Sequence, residues 1–276
     1  MEFSFRASTE HRGALVLRGE GLSAAVSDTD PHETGVPIAQ ARALEDSQAA
    51  RRTAEILNAF SRRAYEALKE HPVNRRRRES GKPPGNALLL RGAAVMPHLQ
   101  PVTEEYGLRG ACIAGGALYK GVARAAGLEV LNVPGATGDL ATDLVAKAKA
   151  ALDALSHYDF LFVHIKGTDN ASHDGDAEAK KSFIERIDRE FFGTLLAGLD
   201  LSAAHLVLSG DHTTPPAAGE HTADPVPALF VGPAIRPDKV ERFSERAAGD
   251  GGLGRFSGRL VPQLLAYCDF GPKYGA

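Results

Sequence analysis

The chain has 276 residues, 43% hydrophobic and 24% charged, with a formal net charge of -3. That length suits one large domain or two smaller ones with a sizeable core, and the charge balance gives no global basic footprint for nucleic acid. Two cysteines, Cys112 and Cys268, lie far apart without CxxC spacing, which argues against a disulfide framework and a zinc finger. The N-terminus, MEFSFRASTEHRG, turns polar early and lacks a signal-peptide apolar region. No apolar run approaches the roughly 18 residues of a membrane span. The expectation is a cytoplasmic protein with neither membrane nor nucleic acid as a partner.

In chain order, Ala14-Leu15-Val16-Leu17 followed by Arg18-Gly19 predicts a strand ending in a turn. Residues 21–35 are polar and turn-rich, with the stretch SDTDPHETG. From Val36 to His71 a helical pattern follows, with Ala49, Ala50, Ala54, Ile56, Leu57 and Phe60 at three- and four-residue intervals. Pro72 is expected to stop that helix. NRRRRESGKPPGN reads as an exposed connection; the run Arg75 to Arg78 is a solvated loop rather than a nucleic-acid patch in a chain of this net charge. ALLLRG, residues 87–92, predicts the next strand.

GACIAGGALYKGVARAAG begins as a short apolar run and continues as a small-residue helix ending at Gly127. LEVLNV predicts a strand, Thr142 to Leu155 a helix, and YDFLFVHI a strand apolar enough for burial on both faces. Lys181 to Leu199 predicts a helix with Phe183, Ile184, Ile187, Phe191, Phe192 and Leu195 on one broad face, and AHLVLSG and VPALFVG predict two more strands. This alternation predicts an α/β fold with a largely parallel sheet covered by helices. Function in such folds sits outside the carboxyl ends of the strands. Polar clusters stand there: PGATGD after LEVLNV, KGTDNASH after FLFVHI and GDHTT after HLVLS. PGATGD lacks the residue order of a phosphate loop and reads as a tight strand-to-helix turn. The first 100 residues look like an incomplete second domain.

HIKGTDNASHDGD, residues 164–176, packs Asp169, His173, Asp174 and Asp176 together. Such groups repel or ion-pair unless they surround something positive. Asp169 and His173, four apart, share one side of a helical turn or can curl around an ion at a strand end. Asp211-His212 stands at a strand terminus, where adjacent side chains leave in different directions and can reach two neighbouring metals; the same pair could instead cap a helix. His221, in GEHTADPVP, supplies a third imidazole. This donor set suits Mn²⁺ or Zn²⁺ better than Ca²⁺, and two metals a few Å apart form the usual clamp for phosphoryl chemistry.

DFLFVHIKGTDNASHDGD, LSGDHTTP, HTADPVPALFVGP and GGLGRFSG resemble cofactor-independent phosphoglycerate mutase of the archaeal type, in the alkaline phosphatase superfamily. HRGALVLRGEGLSAAVSDTDPHETG and PPGNALLLRGAA resemble that family's inserted domain and the return to its core. The resemblance covers nearly the whole chain. It implies that residues 1–100 are part of an inserted substrate-covering domain. Residues 101–276 would be the C-terminal part of a metal-binding, alkaline-phosphatase-like core with helices on both faces. It implies interconversion of 3-phosphoglycerate and 2-phosphoglycerate by a two-metal phosphoserine mechanism, without 2,3-bisphosphoglycerate. Asp169, His173 and His221 would hold one metal; Asp211 and His212 would help hold the other.

In the family a preceding core strand and the segment after it bring the remaining aspartate and the nucleophilic serine. The chain opens at what resembles the inserted domain, so that core segment is expected to be missing. Ser23 and Ser27 belong to the inserted-domain pattern and Ser172 lies between two expected ligands, so no catalytic serine is assigned and the isolated chain is expected to be inactive. A separate N-terminal half or a homo-oligomer is expected to cover the exposed edge. The alternatives are an inactive fragment or subunit of a split mutase, and a divergent metal-dependent phosphatase or phosphonate-pathway mutase. Phosphoglycerate, or a related small phosphorylated acid, requires cations besides the metals. Arg91 and Lys120 resemble family positions lining the substrate pocket, and Arg18 is a third candidate; each is also compatible with a solvated or salt-bridged side chain. Asp28, Asp30 and His32 are candidates to order the inserted-domain loop.

Overall fold

Phenylalanines at positions 3 and 5, alternating with Glu2, Ser4 and Arg6, give the period-two pattern of a half-covered strand. The computed structural model, which describes residues 1–8 and 11–272, forms β1 there (Glu2–Ala7). It pairs antiparallel with β2 (Gly13–Arg18), Glu2 opposite Arg18 and Phe5 opposite Leu15. Both phenylalanines lean on Phe60 of α1 (Gln48–Lys69), with ring centroids 5.8 and 6.4 Å away. Backbone contacts divide the molecule into two units, Met1–His98 and Leu99–Ala276.

In the first unit the core is Val26, Ala41, Ala54 and Leu57, with Leu15, Leu17 and Leu90 against it. The long helix begins at residue 48 rather than 36. Ser47 caps it by accepting from the Ala50 amide at 3.0 Å. Upstream, the backbone is spent on bridging Val26 to Ala43. Pro72 does not simply end a helix; it starts α2 (Pro72–Glu79), because a proline at the first helical position loses no hydrogen bond. The arginine run is therefore helical rather than a loop. Buried Asn74 ties α2 to the chain on both sides, donating to Leu68 O and Gly85 O and accepting from the Gly85 amide. Residues 87–92 form no strand; Leu90 is held instead by Thr29, whose amide donates to its carbonyl and whose hydroxyl oxygen accepts from its amide.

The second unit runs α3 (Val102–Glu105), β3 (Gly110–Ile113), α4 (Ala117–Ala125), β4 (Glu129–Val130), α5 (Leu144–Ala154), β5 (Phe160–Val163), α6 (Gly167–His173) and α7 (Ala177–Arg186). A π-helical turn (Ile187–Phe192) joins α7 to α8 (Gly193–Gly198), and β6 (Leu206–Ser209), β7 (Ala228–Val231), α9 (Glu245–Ala248) and α10 (Leu260–Tyr267) follow. Strands β4, β3 and β5 form a parallel sheet in that order, with Gly110 opposite Phe160 and Ile113 opposite Val163. Strand alternation sorts its two faces. Ile113, Leu161 and Val163 join Leu144, Ala148 and Ala151 of α5 and Phe183, Phe191 and Leu195 of the α7–α8 helix in the main core. Cys112 and Phe160 face the other way with Ala123 and Tyr119 of α4. The sheet is thus covered by helices on both faces.

Two expectations change here. β6 and β7 form a separate antiparallel pair, Leu206 opposite Val231, rather than continuing the parallel sheet. β5 is not buried on both faces: it is an edge strand among the described residues, and Phe162 is 39% exposed.

Lys147 of α5 is fully buried and donates to Thr137 O at 3.2 Å and His164 O at 3.0 Å. It pins the turn before α5 to the end of β5. Burial, reinforced by the positive charge of Lys120, lowers its pKa to about 8. His164 stacks on Tyr119 with centroids 3.5 Å apart. Burial, partly opposed by the charge of Asp211, pulls its pKa down to about 4. A histidine kept neutral by the fold stabilises fully above its unfolded pKa, and that contribution is lost as pH falls towards the folded value. Between about pH 6.5 and pH 4, therefore, wild-type stability should drop relative to His164→Phe by up to about 3 kcal/mol, read by urea unfolding at several pH values. Parallel pH profiles for the two proteins would contradict this.

Candidate metal centre

The site is assembled at the carboxyl ends of β5 and β6, where the sheet strands release the chain into polar loops. Past β5, Lys166 leads into α6, and the helical spacing places Asp169 and His173 on one side of it: Asp169 Oδ1 lies 3.3 Å from His173 Nε2. Gly167 opens α6 because there is no room for a side chain. A Cβ there would fall 2.6 Å from the ring of buried Phe183. Past β6 come Asp211 and His212. The chain then folds back on itself, with the Thr222 amide donating to Thr213 O at 2.9 Å. That closure brings His221 onto His212, ring centroids 3.6 Å apart, and puts His221 Nε2 3.5 Å from Asp169 Oδ1. Asp211 Oδ2 lies 3.3 Å from His212 Nε2. Among the described residues the pair caps no helix; Asp211 Oδ1 accepts from the His212 amide instead.

Asp169, His212 and His221 each bring one ligand atom to a common spot, all within 4.8 Å of one another. These three are drawn from both of the ligand groups expected from the sequence, with His173 and Asp211 beside them. The hydrogen bonds select the ring tautomers. Gly219 O is an acceptor only, so His173 Nδ1, 2.8 Å away, must carry the proton. Thr214 Oγ1 donates to Asp169 Oδ1 at 3.1 Å, so the bond at 2.9 Å between the same hydroxyl and His212 Nδ1 must have the imidazole as donor. In both neutral rings the lone pair is left on Nε2. His173 Nε2 then faces a carboxylate oxygen with no hydrogen between them. That arrangement is repulsive unless a proton or a metal ion lies there, and nitrogen–oxygen donor sets of this kind are metal-binding chemistry.

Burial acts to raise the Asp169 pKa, but the Lys166 ammonium, the Thr214 hydroxyl and His173 outweigh it and hold the carboxyl below its usual value. Lys166 and Thr214 were not singled out in the sequence. Lys166 could have been: it precedes Asp169 by three residues, so a helical start brings the two together. Thr214 is buried, and only the fold shows that it touches both Asp169 and His212. Ser172 is fully buried, and its hydroxyl donates to Thr168 O inside α6. Asp174 and Asp176 do not join the cluster of ligand atoms; Asp176 caps α7. Lys120 lies half-buried on α4, next to Tyr119. In the first unit Arg18 ends β2, and Arg91 pairs with Asp30 at 3.1 Å; Asp28 accepts from the Gly92 amide. A hollow of about 1410 Å³ between β7 and the segment 235–262 touches Ser209 and Gly210 but none of the five candidate ligands.

Residues 7–266 match the model of the Metalloenzyme superfamily, and the chain belongs to it. A 2,3-bisphosphoglycerate-independent phosphoglycerate mutase 1 from Methanocaldococcus jannaschii is 46% identical over 261 residues, covering 95% of this chain and 63% of the relative. A protein of Methanococcus aeolicus named 2,3-bisphosphoglycerate-independent phosphoglycerate mutase is 44% identical, covering 100% and 68%. The solved cofactor-independent phosphoglycerate mutase of Thermoplasma acidophilum superposes with a TM-score of 0.63 at 32% identity, covering 96% of this chain and 65% of that one. Within the superfamily the chain belongs to the 2,3-bisphosphoglycerate-independent phosphoglycerate mutases. It spans about two thirds of the length of the curated relatives it matches.

If Thr214 fixes the His212 tautomer, Thr214→Val should weaken divalent-metal binding about 10–100-fold, the usual cost of losing an outer-shell partner. Isothermal calorimetry on the metal-stripped chain reads this, and equal affinities would show that the hydroxyl does not matter. Gly167→Ala should cost about 1–3 kcal/mol of stability in urea unfolding, since the new methyl must displace a packed ring.

Proposed function

We propose that this protein takes part in the interconversion of 3-phosphoglycerate and 2-phosphoglycerate by a two-metal phosphoserine mechanism without 2,3-bisphosphoglycerate. The observation that carries this reading is the convergence of Asp169, His212 and His221 on one point at the ends of β5 and β6, with His173 Nε2 3.3 Å from Asp169 Oδ1, in a chain of this family. Asp169, His173 and His221 would hold one ion, Mn²⁺ or Zn²⁺ by the mixture of oxygen and nitrogen donors. Asp211 and His212 would contribute to the second. When bound, such ions supply positive charge against phosphoryl oxygens and favour an alkoxide nucleophile.

The chain's own residues prepare that chemistry. Gly219 and Thr214 keep the ring lone pairs turned inwards. In the second unit Lys120 would offer a cation for the phosphate or carboxylate of the substrate, and in the first unit Arg18 and Arg91 are separate candidates for the same chemistry. Arg91 would exchange its exposed ion pair with Asp30 for a substrate oxygen. The nucleophilic serine is expected in the third of the relatives' length that this chain does not match. Ser172, locked into α6, is a poor substitute.

Titrating the metal-stripped chain should show about one equivalent of Mn²⁺ or Zn²⁺ bound tightly, with a weaker second event. His173→Ala/His221→Ala should abolish the tight event; unchanged affinity in that double variant would overturn the ligand assignment. In an enolase-coupled assay with 2,3-bisphosphoglycerate omitted, the 276-residue chain alone should show no turnover with Mn²⁺. Turnover should appear when the part of a full-length relative that this chain does not match is added, and disappear again with His212→Ala. Robust turnover by the chain alone, surviving removal of contaminating mutase, would put the nucleophile among its own serines.

A further inference from the structure

The two oxygens of Asp169 have different neighbours. Oδ1 accepts from Thr214 Oγ1 and faces His173 Nε2 at 3.3 Å and His221 Nε2 at 3.5 Å. Oδ2 is in contact with the ammonium of Lys166, the residue at the helix cap three positions earlier. Both side chains are largely withdrawn from water, 15% exposed for Asp169 and 28% for Lys166. A carboxylate free to rotate can present both oxygens to one ion. Here the fold spends one of them on a lysine.

We propose that Lys166 is a positioning residue: it reserves Oδ2 and leaves Oδ1 as the single oxygen that Asp169 gives to the metal. This rests on the reading of the cluster as a metal centre. The consequence is chemical. A one-oxygen ligand keeps the coordination number low and leaves a position open at the ion, as catalytic metal sites require. The cost is an ammonium near a divalent cation, so Lys166 is informative by the sign of its effect. If the lysine merely fills the place of an ion, removing it strengthens metal binding. If it orients the carboxylate, removing it weakens binding and lets the second oxygen coordinate.

The test uses the metal-stripped 276-residue chain, titrated with Zn²⁺ by calorimetry and loaded with Co²⁺ for visible absorption. Lys166→Met should bind Zn²⁺ about 10–100-fold more weakly than wild type. Its Co²⁺ bands should weaken, as expected when a second carboxylate oxygen raises the coordination number. Lys166→Arg, which keeps a cation facing Oδ2, should recover most of both signals; Lys166→Gln replaces the Met variant if that protein does not fold. Tighter Zn²⁺ binding without the lysine, or unchanged affinity and spectrum, would overturn the positioning role while leaving the metal centre intact. Failure of the wild-type chain itself to bind either metal would instead remove the metal centre and this inference with it.

Discussion

A carboxylate oxygen held against imidazole nitrogens, an arrangement that calls for a proton or a metal ion between them, is the constraint on which the rest of the site depends. Asp169 Oδ1 meets His173 Nε2 at 3.3 Å, and the opposite nitrogen of that ring is committed to Gly219 O. The same logic governs His212, whose Nδ1 is committed to Thr214. The surrounding backbone holds these donor atoms together, so the site favours a cation there, whether a proton or a metal ion. Much of the local architecture serves to maintain it: the first turn of α6 packed on Phe183 through Gly167, the fold-back between Thr213 and Thr222, and Lys180 donating to Thr214 O at 2.8 Å.

The sheet supplies the rigid platform for these loops. β3 is wholly buried, and its alternating side chains engage α5 and the α7–α8 helix on one side and α4 on the other. Lys147 extends that order beyond the strands. Its ammonium, with two carbonyl acceptors, joins the turn before α5 to the stretch leading into α6. A buried lysine is costly, and here the cost is offset by fixing the direction in which β5 hands the chain to the metal centre. Asn170, donating to Gly138 O at 3.3 Å, makes a second link between the same two segments.

All five candidate ligands fall in the second unit, so its metal chemistry is local to it. The family relationship extends over both units, since residues 7–266 match one superfamily model. The first unit contributes its own core and two arginines with candidate substrate roles. Arg91 pairs locally with Asp30, and the neighbouring Gly92 amide donates to Asp28.

The sequence by itself determined the α/β class, the stretches that become β3, β5, β6, β7, α4 and α5, and the five side chains offered for a metal. These were legible because strand and helix periodicities are local, and because the five oxygen and nitrogen donors stand in the polar stretches that follow two apolar strands. It also contained two signals that were passed over: the Phe3/Phe5 alternation of β1 and a proline at a helix start rather than a helix end. Only the tertiary structure decided that β6 pairs with β7 instead of extending the parallel sheet, that Phe162 lies half-open at an edge, and that Asp169 meets Thr214 and His221. Thr214 and Lys147 acquire their roles in the same way. The contacts of Lys147 with Thr137 and His164 and of Thr214 with Asp169 join residues 10 to 45 positions apart, and which distant carbonyl or carboxylate a side chain meets is settled by packing, which no local pattern encodes.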